Sequence, residues 1–122
     1  MKGARENSLE EKMAEILTDE RVSALKSYLE KDHGIDCLLL LYMNKGRWAK
    51  AQGFVRGVLR RHIADGTFRS RVIELEMLKL ARFENIRKNP LQKCYLITDS
   101  GRKITELLVS FLDQIQQEVV WC

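Results

Sequence analysis

The residues with the clearest chemical purpose are Thr67, Arg69, Ser70 and Arg71, packed into the run Gly66-Thr67-Phe68-Arg69-Ser70-Arg71. Two guanidinium groups and two hydroxyls at this spacing can donate to phosphate oxygens or to base edges, and arginine is the commonest bidentate partner of guanine O6 and N7. They open an apolar-periodic stretch with Val72, Ile73, Leu75, Leu78 and Leu80 on its buried side, which predicts a helix over Thr67–Arg82 capped by Asp65 or Thr67. Positive charge in a first turn opposes the helix macrodipole at a few tenths to about 1 kcal/mol for each group. A helix that accepts this twice is expected to present those arginines to an anionic partner. Glu74 and Glu76 are expected to point away or to pair with Arg60, Arg61 or Lys79. Phe68 is expected in the core.

The charge around this run is unevenly spread. Residues 45–71 hold eight Lys/Arg against Asp65 alone, whereas residues 1–36 hold six against nine acids and residues 94–122 hold two against four. The whole chain carries a net +4. An ordinary solvated face mixes signs, and this stretch does not, so it suits a nucleic-acid partner, with Arg47, Lys50 and Arg56 as further contacts. A second basic cluster lies in Arg87-Lys88-Asn89-Pro90-Leu91-Gln92-Lys93. Pro90 cannot donate to a strand ladder, so the cluster reads as a hairpin tip between Glu84–Arg87 and Cys94-Tyr95-Leu96-Ile97. Arg87, Lys88 and Lys93 would then lie along a minor groove or backbone; the plain alternative is a tip kept soluble by its charge.

These residues need elements to hold them. Ser8-Leu9-Glu10-Glu11 has the form of a capping box, with residues 1–7 expected frayed, and the apolar stripe from Leu9 continues through Val22, Leu25 and Leu29. Thr18 and Asp19 could re-cap it into a second helix, and Asp32-His33-Gly34 closes it with Gly34 in the left-handed position. Ile35–Asn44 is apolar all round and belongs at the centre of the core. Arg47–Ile63 is helical in period but contains Gly53 and Gly57, which either break it or permit close packing; the main helix is expected over Gln52–Ile63. A short turn joins it to the Thr67 helix, the order of a helix-turn-helix whose second helix enters the major groove.

Thr98–Val120 predicts a long helix capped by Thr98. Its stripe is wider than one domain of this size buries. Leu108, Phe111, Leu112, Ile115, Val119 and Cys122 are therefore expected to face a second copy of the chain. The fold class is mainly α with a small β-hairpin wing: one winged helix-turn-helix domain over residues 1–122. It divides into an N-terminal helical extension (1–33), a helix-turn-helix plus wing (35–97) and a C-terminal dimerisation helix (98–122).

Other classes find less support. Cys37, Cys94 and Cys122 show no paired spacing and only His33 and His62 could assist them, so no metal site and no cofactor is expected. Cys37 and Cys94 read as buried hydrophobes, and Cys122 could form an intersubunit disulfide. The longest apolar run, Cys37–Met43, is too short for a bilayer, and the N-terminus lacks a secretory apolar region, so the expected compartment is the cytoplasm with no membrane partner. No paired carboxylates, Cys–His constellation or phosphate loop indicates an enzyme.

The segment Thr67 to Phe83, followed by Tyr95-Leu96-Ile97-Thr98-Asp99-Ser100-Gly101, resembles the recognition helix, wing and wing-end of the MarR, PadR and HxlR regulators. Their helix ends in Leu-x-x-x-Gly-Leu and their wing in Tyr-x-Leu-Thr-x-x-Gly. The second motif is largely kept, and the usual glycine before the wing is read as replaced by Ala81. Small winged-helix proteins of archaea and their viruses are similar in layout. The resemblance implies a homodimeric regulator that binds double-stranded DNA and has no catalytic role. The alternative is a winged-helix module that holds a protein partner, since a fold does not fix its function.

Overall fold

The computed structural model describes residues 2–85 and 93–119, and it divides into two compact units, residues 1–32 and 33–122. The first unit is two helices, α1 (Lys2–Thr18) and α2 (Glu20–Leu29). Ser8 lies inside α1 and so caps nothing, contrary to the capping-box expectation. The break falls at Asp19, whose carboxylate accepts the backbone N–H groups of Arg21 at 2.8 Å and Val22 at 3.2 Å. These hydrogen bonds favour the charged form and hold the Asp19 carboxyl below the ordinary carboxylate range. Leu9, Met13, Ile16 and Leu17 are exposed along α1.

The second unit opens on His33, which itself takes the left-handed backbone at φ 61°, while Gly34 begins α3 (Gly34–Tyr42). The expected left-handed glycine is therefore one residue off. Cys37, Leu38, Leu40 and Leu41 are fully buried, so α3 is the central helix its composition required. It ends in a Schellman motif: Asn44 is left-handed, Lys45 N–H reaches the Leu40 carbonyl at 2.8 Å and Asn44 N–H the Leu41 carbonyl at 3.1 Å. Gly46 then lies against the wing, where Tyr95 N–H donates to its carbonyl at 3.2 Å and any Cβ would collide with the Tyr95 carbonyl.

The next helix starts earlier and stops sooner than expected. α4 (Trp48–Phe54) passes through Gly53 into a π-helical turn, Val55–Leu59, which Arg60 ends in the left-handed region. Nothing packs against Gly53 or Gly57, so neither serves a close helix contact. α5 (Asp65–Met77) follows, with Ala64 at the cap position and no side-chain cap. It ends five residues before the predicted Arg82 because Lys79 turns left-handed in a second Schellman motif. Leu80 N–H bonds the Leu75 carbonyl and Lys79 N–H the Glu76 carbonyl, both at 2.9 Å. Lys79, not Ala81, thus stands where Leu-x-x-x-Gly-Leu has its glycine: Leu75 and Leu80 are the two leucines.

β1 (Ala81–Asn85) pairs antiparallel with β2 (Lys93–Ile97), Ala81 opposite Ile97 and Asn85 opposite Lys93. The first strand therefore begins three residues before the expected Glu84, and the predicted Asn89-Pro90 turn lies outside the described residues. α6 (Asp99–Glu118) is capped by Thr98 as its sequence indicated. Thr98 Oγ1 accepts the Gly101 N–H at 3.1 Å and donates to the Lys79 carbonyl at 2.8 Å, and Thr98 N–H donates to the Leu80 carbonyl at 3.0 Å. The start of α6 is thereby tied to the end of α5.

Candidate nucleic-acid interface

α4 and α5 form the helix-turn-helix, joined by Trp48 and Phe68 with ring centroids 5.2 Å apart. Phe68, Val72 and Leu75, spaced by four and three residues, point into the core. The opposite side of α5 is exposed and consists of Asp65, Gly66, Arg69, Ser70, Ile73, Glu76 and Met77. Arg69 and Ser70 are thus exposed as expected, and Thr67 is half-buried. Two corrections follow. Ile73, assigned to the buried side, is 41 % exposed. Arg71, assigned to the reading face, is turned inward: its side chain is 16 % exposed and its Nη1 lies 2.6 Å from Glu74 Oε1.

The charge pattern changes in the same way. Because α5 begins at Asp65, Arg69 and Arg71 lie in its second turn, and the first-turn dipole argument does not apply to them. Asp65 occupies the favourable site and its Oδ2 holds Arg69 Nη2 at 3.0 Å. Arg61 donates to both Asp36 oxygens at 2.9 and 3.0 Å, and His33 Nδ1 lies 3.1 Å from the same carboxylate. Arg61 thus pairs with Asp36, and Glu74 with Arg71, a partner other than the expected Arg60, Arg61 or Lys79. Three cations of the basic stretch are paired, two of them with acids outside it, Asp36 and Glu74. The fold recruits counter-charges that the linear tally missed.

Lys50 on α4 and Arg56 in the π-helical turn are exposed, and Arg47 is half-buried just before α4. Arg47 and Lys50 act on the Cys94 thiol of β2, and Glu84 acts from β1, but burial dominates and pushes this thiol up. Burial likewise raises the Tyr95 phenol, with Glu76 adding to the rise and Arg69 opposing it. Tyr95 meets Phe83 edge-on at 5.5 Å. The root of the wing is therefore electrostatically coupled to α4 and to the outward edge of α5. Arg87 and Lys88 lie outside the described residues, and Lys93 opens β2 with its side chain outside the description.

No protein-family model matches the sequence, and no curated protein does. Solved structures do match. A structure of MepR from S. aureus in complex with DNA is 20 % identical with a TM-score of 0.54, covering 91 % of this chain and 84 % of that one. A mutant MepR from a multidrug-resistant S. aureus clinical isolate gives 19 % and 0.52, covering 91 % and 78 %. The fold is a winged helix, similar to that of MepR. In this winged helix α5 is the second helix of the helix-turn-helix and β1–β2 is the hairpin.

The winged helix also exposes most of its last element. On α6, Gly101 and Thr105 are buried, Ile104 and Leu108 half-buried, and Phe111, Leu112 and Ile115 exposed, as is Val119 just past its end. Leu107, absent from the expected set, is 72 % exposed; its four-residue spacing to Phe111 was the available signal. Cys122 lies outside the described residues. Among the described residues no cluster of three His, Cys, Asp or Glu could hold a metal, and no helix is long and apolar enough to cross a membrane.

Proposed function

We propose that this chain is a homodimeric, double-stranded-DNA-binding transcription regulator of the cytoplasm. In this reading the outward face of α5 enters the major groove with Arg69 and Ser70 toward the base edges. Lys50, Arg56 and Arg47 serve the phosphates, and Arg87, Lys88 and Lys93 form the basic wing tip. Two copies join through α6, with Phe111, Leu112, Ile115 and Val119 in the contact and Leu108 at its edge. Two half-sites would then lie about one helical turn, roughly 34 Å, apart. Cys122 of the two copies could close a disulfide across the interface.

The observation that carries the reading is the exposure of Arg69 and Ser70 on the second helix of a helix-turn-helix whose first part exposes Lys50 and Arg56. The DNA complex of MepR, which shares the fold, supports it. The alternative, a winged helix that holds a protein partner, is favoured by Met77, which stands 77 % exposed on the same face.

A salt titration on duplex DNA separates the two. Each lost phosphate contact makes the slope of log K against log salt shallower by about 0.9, so Lys50→Ala should lose about that much and weaken all duplexes alike. Arg69→Ala should instead blunt discrimination between duplexes. Absence of binding by the wild type at low salt would select the protein-partner reading. A monomer band with and without reductant would remove the disulfide.

A further inference from the structure

Ile73 is 41 % exposed, so a large part of its hydrocarbon is left outside the core. It stands in the middle of the outward face of α5, three residues after Ser70 and four after Arg69, so the three side chains are neighbours on one helix surface. Seven residues earlier, Gly66 leaves the same face bare. Open space surrounds the point where its Cβ would lie, and its φ is not positive, so neither packing nor a turn demands glycine there. Glycine is nonetheless the poorest helix former after proline. A bare backbone, an arginine steadied by Asp65, a hydroxyl and a β-branched hydrocarbon make the first part of this face, ahead of Glu76 and Met77, suited to close approach to a mostly polar surface bearing an isolated apolar group. The major groove is such a surface, and thymine alone among the bases presents a methyl group there.

We infer that Ile73 is a specificity-determining residue that packs against the 5-methyl group of a thymine in each half-site. The inference rests on the DNA-binding reading above and deepens it by naming a base. Arg69 and Ser70 supply hydrogen bonds to neighbouring edges or phosphates, and Ile73 adds the contact that distinguishes thymine from cytosine by shape.

The test begins with duplexes selected by the wild-type protein from a randomised pool. Each thymine of the selected site is then replaced singly by deoxyuridine, which removes the methyl and keeps the base pair. Wild-type affinity should fall about fourfold at one thymine per half-site, the value of one buried methyl group. Ile73→Ala, which alters both protomers, should bind the thymine duplex about as weakly as the wild type binds a duplex carrying deoxyuridine at that position in both half-sites, a loss of about sixteenfold, and should ignore the replacement. Ile73→Val should keep most of the discrimination. Unchanged urea midpoints would establish that the variants fold. Wild-type binding indifferent to every deoxyuridine, or Ile73→Ala still sensing the same methyl, would overturn the assignment while leaving DNA binding in place. Failure of the wild type to bind any duplex would overturn the DNA-binding reading itself and this assignment with it.

Discussion

Gly101→Ala should be among the most damaging single-methyl additions in this chain. A Cβ at Gly101 would collide with the Leu80 carbonyl oxygen and lie 2.8 Å from Ile97 Cγ1 and 3.1 Å from the Leu80 carbonyl carbon. Carbon atoms pack best at about 3.5–4.0 Å, so the first turn of α6 must retreat by roughly 1 Å. That retreat stretches the bonds from Thr98 to the Leu80 and Lys79 carbonyls, now 3.0 and 2.8 Å, beyond hydrogen-bonding range. Two such bonds contribute about 1 kcal/mol each, and residual overpacking adds about 1 kcal/mol or more, giving a loss of about 3 kcal/mol. With a urea slope of about 1.5 kcal/mol per molar, the midpoint should fall by about 2 M at fixed protein concentration. Gly53→Ala is the control, because nothing lies within 4 Å of its added methyl in α4. It should stabilise by up to about 1 kcal/mol. A Gly101→Ala loss below about 0.5 kcal/mol, or equal shifts for the two variants, would refute the close-approach argument.

Two further outcomes are expected. Lys79 holds φ at 63°, a left-handed strain of about 1 kcal/mol for a residue with a Cβ, so Lys79→Gly should raise the urea midpoint and leave the far-ultraviolet spectrum unchanged. A lowered midpoint would mean that the Lys79 side chain matters more than its backbone. Cys37 is fully buried between the core leucines, and burial pushes its thiol up to about 12. The native protein at pH 8 should therefore leave Cys37 unmodified by a thiol reagent, detected by mass spectrometry, until denaturant is added; rapid native labelling would contradict the packing of α3.

Where residue type itself dictates local geometry, the sequence was a good guide. Threonine before Asp-Ser-Gly marked the α6 cap and the leucine run of α3 marked the core, while Thr18-Asp19 offered a re-cap without deciding between one helix and two. The end of α5 was different. Leu78 and Leu80 prolong the apolar period, and a lysine gives no sign that its backbone turns left-handed, so the helix was read five residues too long. The reading face was blurred for a geometric reason: residues two apart on a helix point about 200° from one another, so Arg69 and Arg71 cannot both face outward. With Phe68, Val72 and Leu75 inside, Arg69 is the one exposed and Ile73 goes with it. The counter-charges Asp36 and Glu74 lie outside the stretch whose charge was counted, and only packing brings them to Arg61 and Arg71.

The Thr98–Gly101 turn connects these observations to function. Lys79 and Leu80 close α5, and Thr98 opens α6, yet the three meet through direct hydrogen bonds although the whole wing separates them in sequence. The helix proposed to join two copies is thus fastened to the helix proposed to read bases, not by a loop but by two carbonyls and a threonine. Gly101 sets how closely they can be fastened. A wing that changes its tip leaves this junction intact, because Ala81 and Ile97 pair at its base. On the DNA-binding reading, sequence variation at the tip would therefore alter groove contacts without altering the angle between α5 and α6, whereas substitution at Thr98, Gly101 or Lys79 would act on that angle directly. Half-site spacing, which the α6 pairing would set, and base preference, which Arg69 and Ile73 would set, are then adjustable at separate residues of one fold.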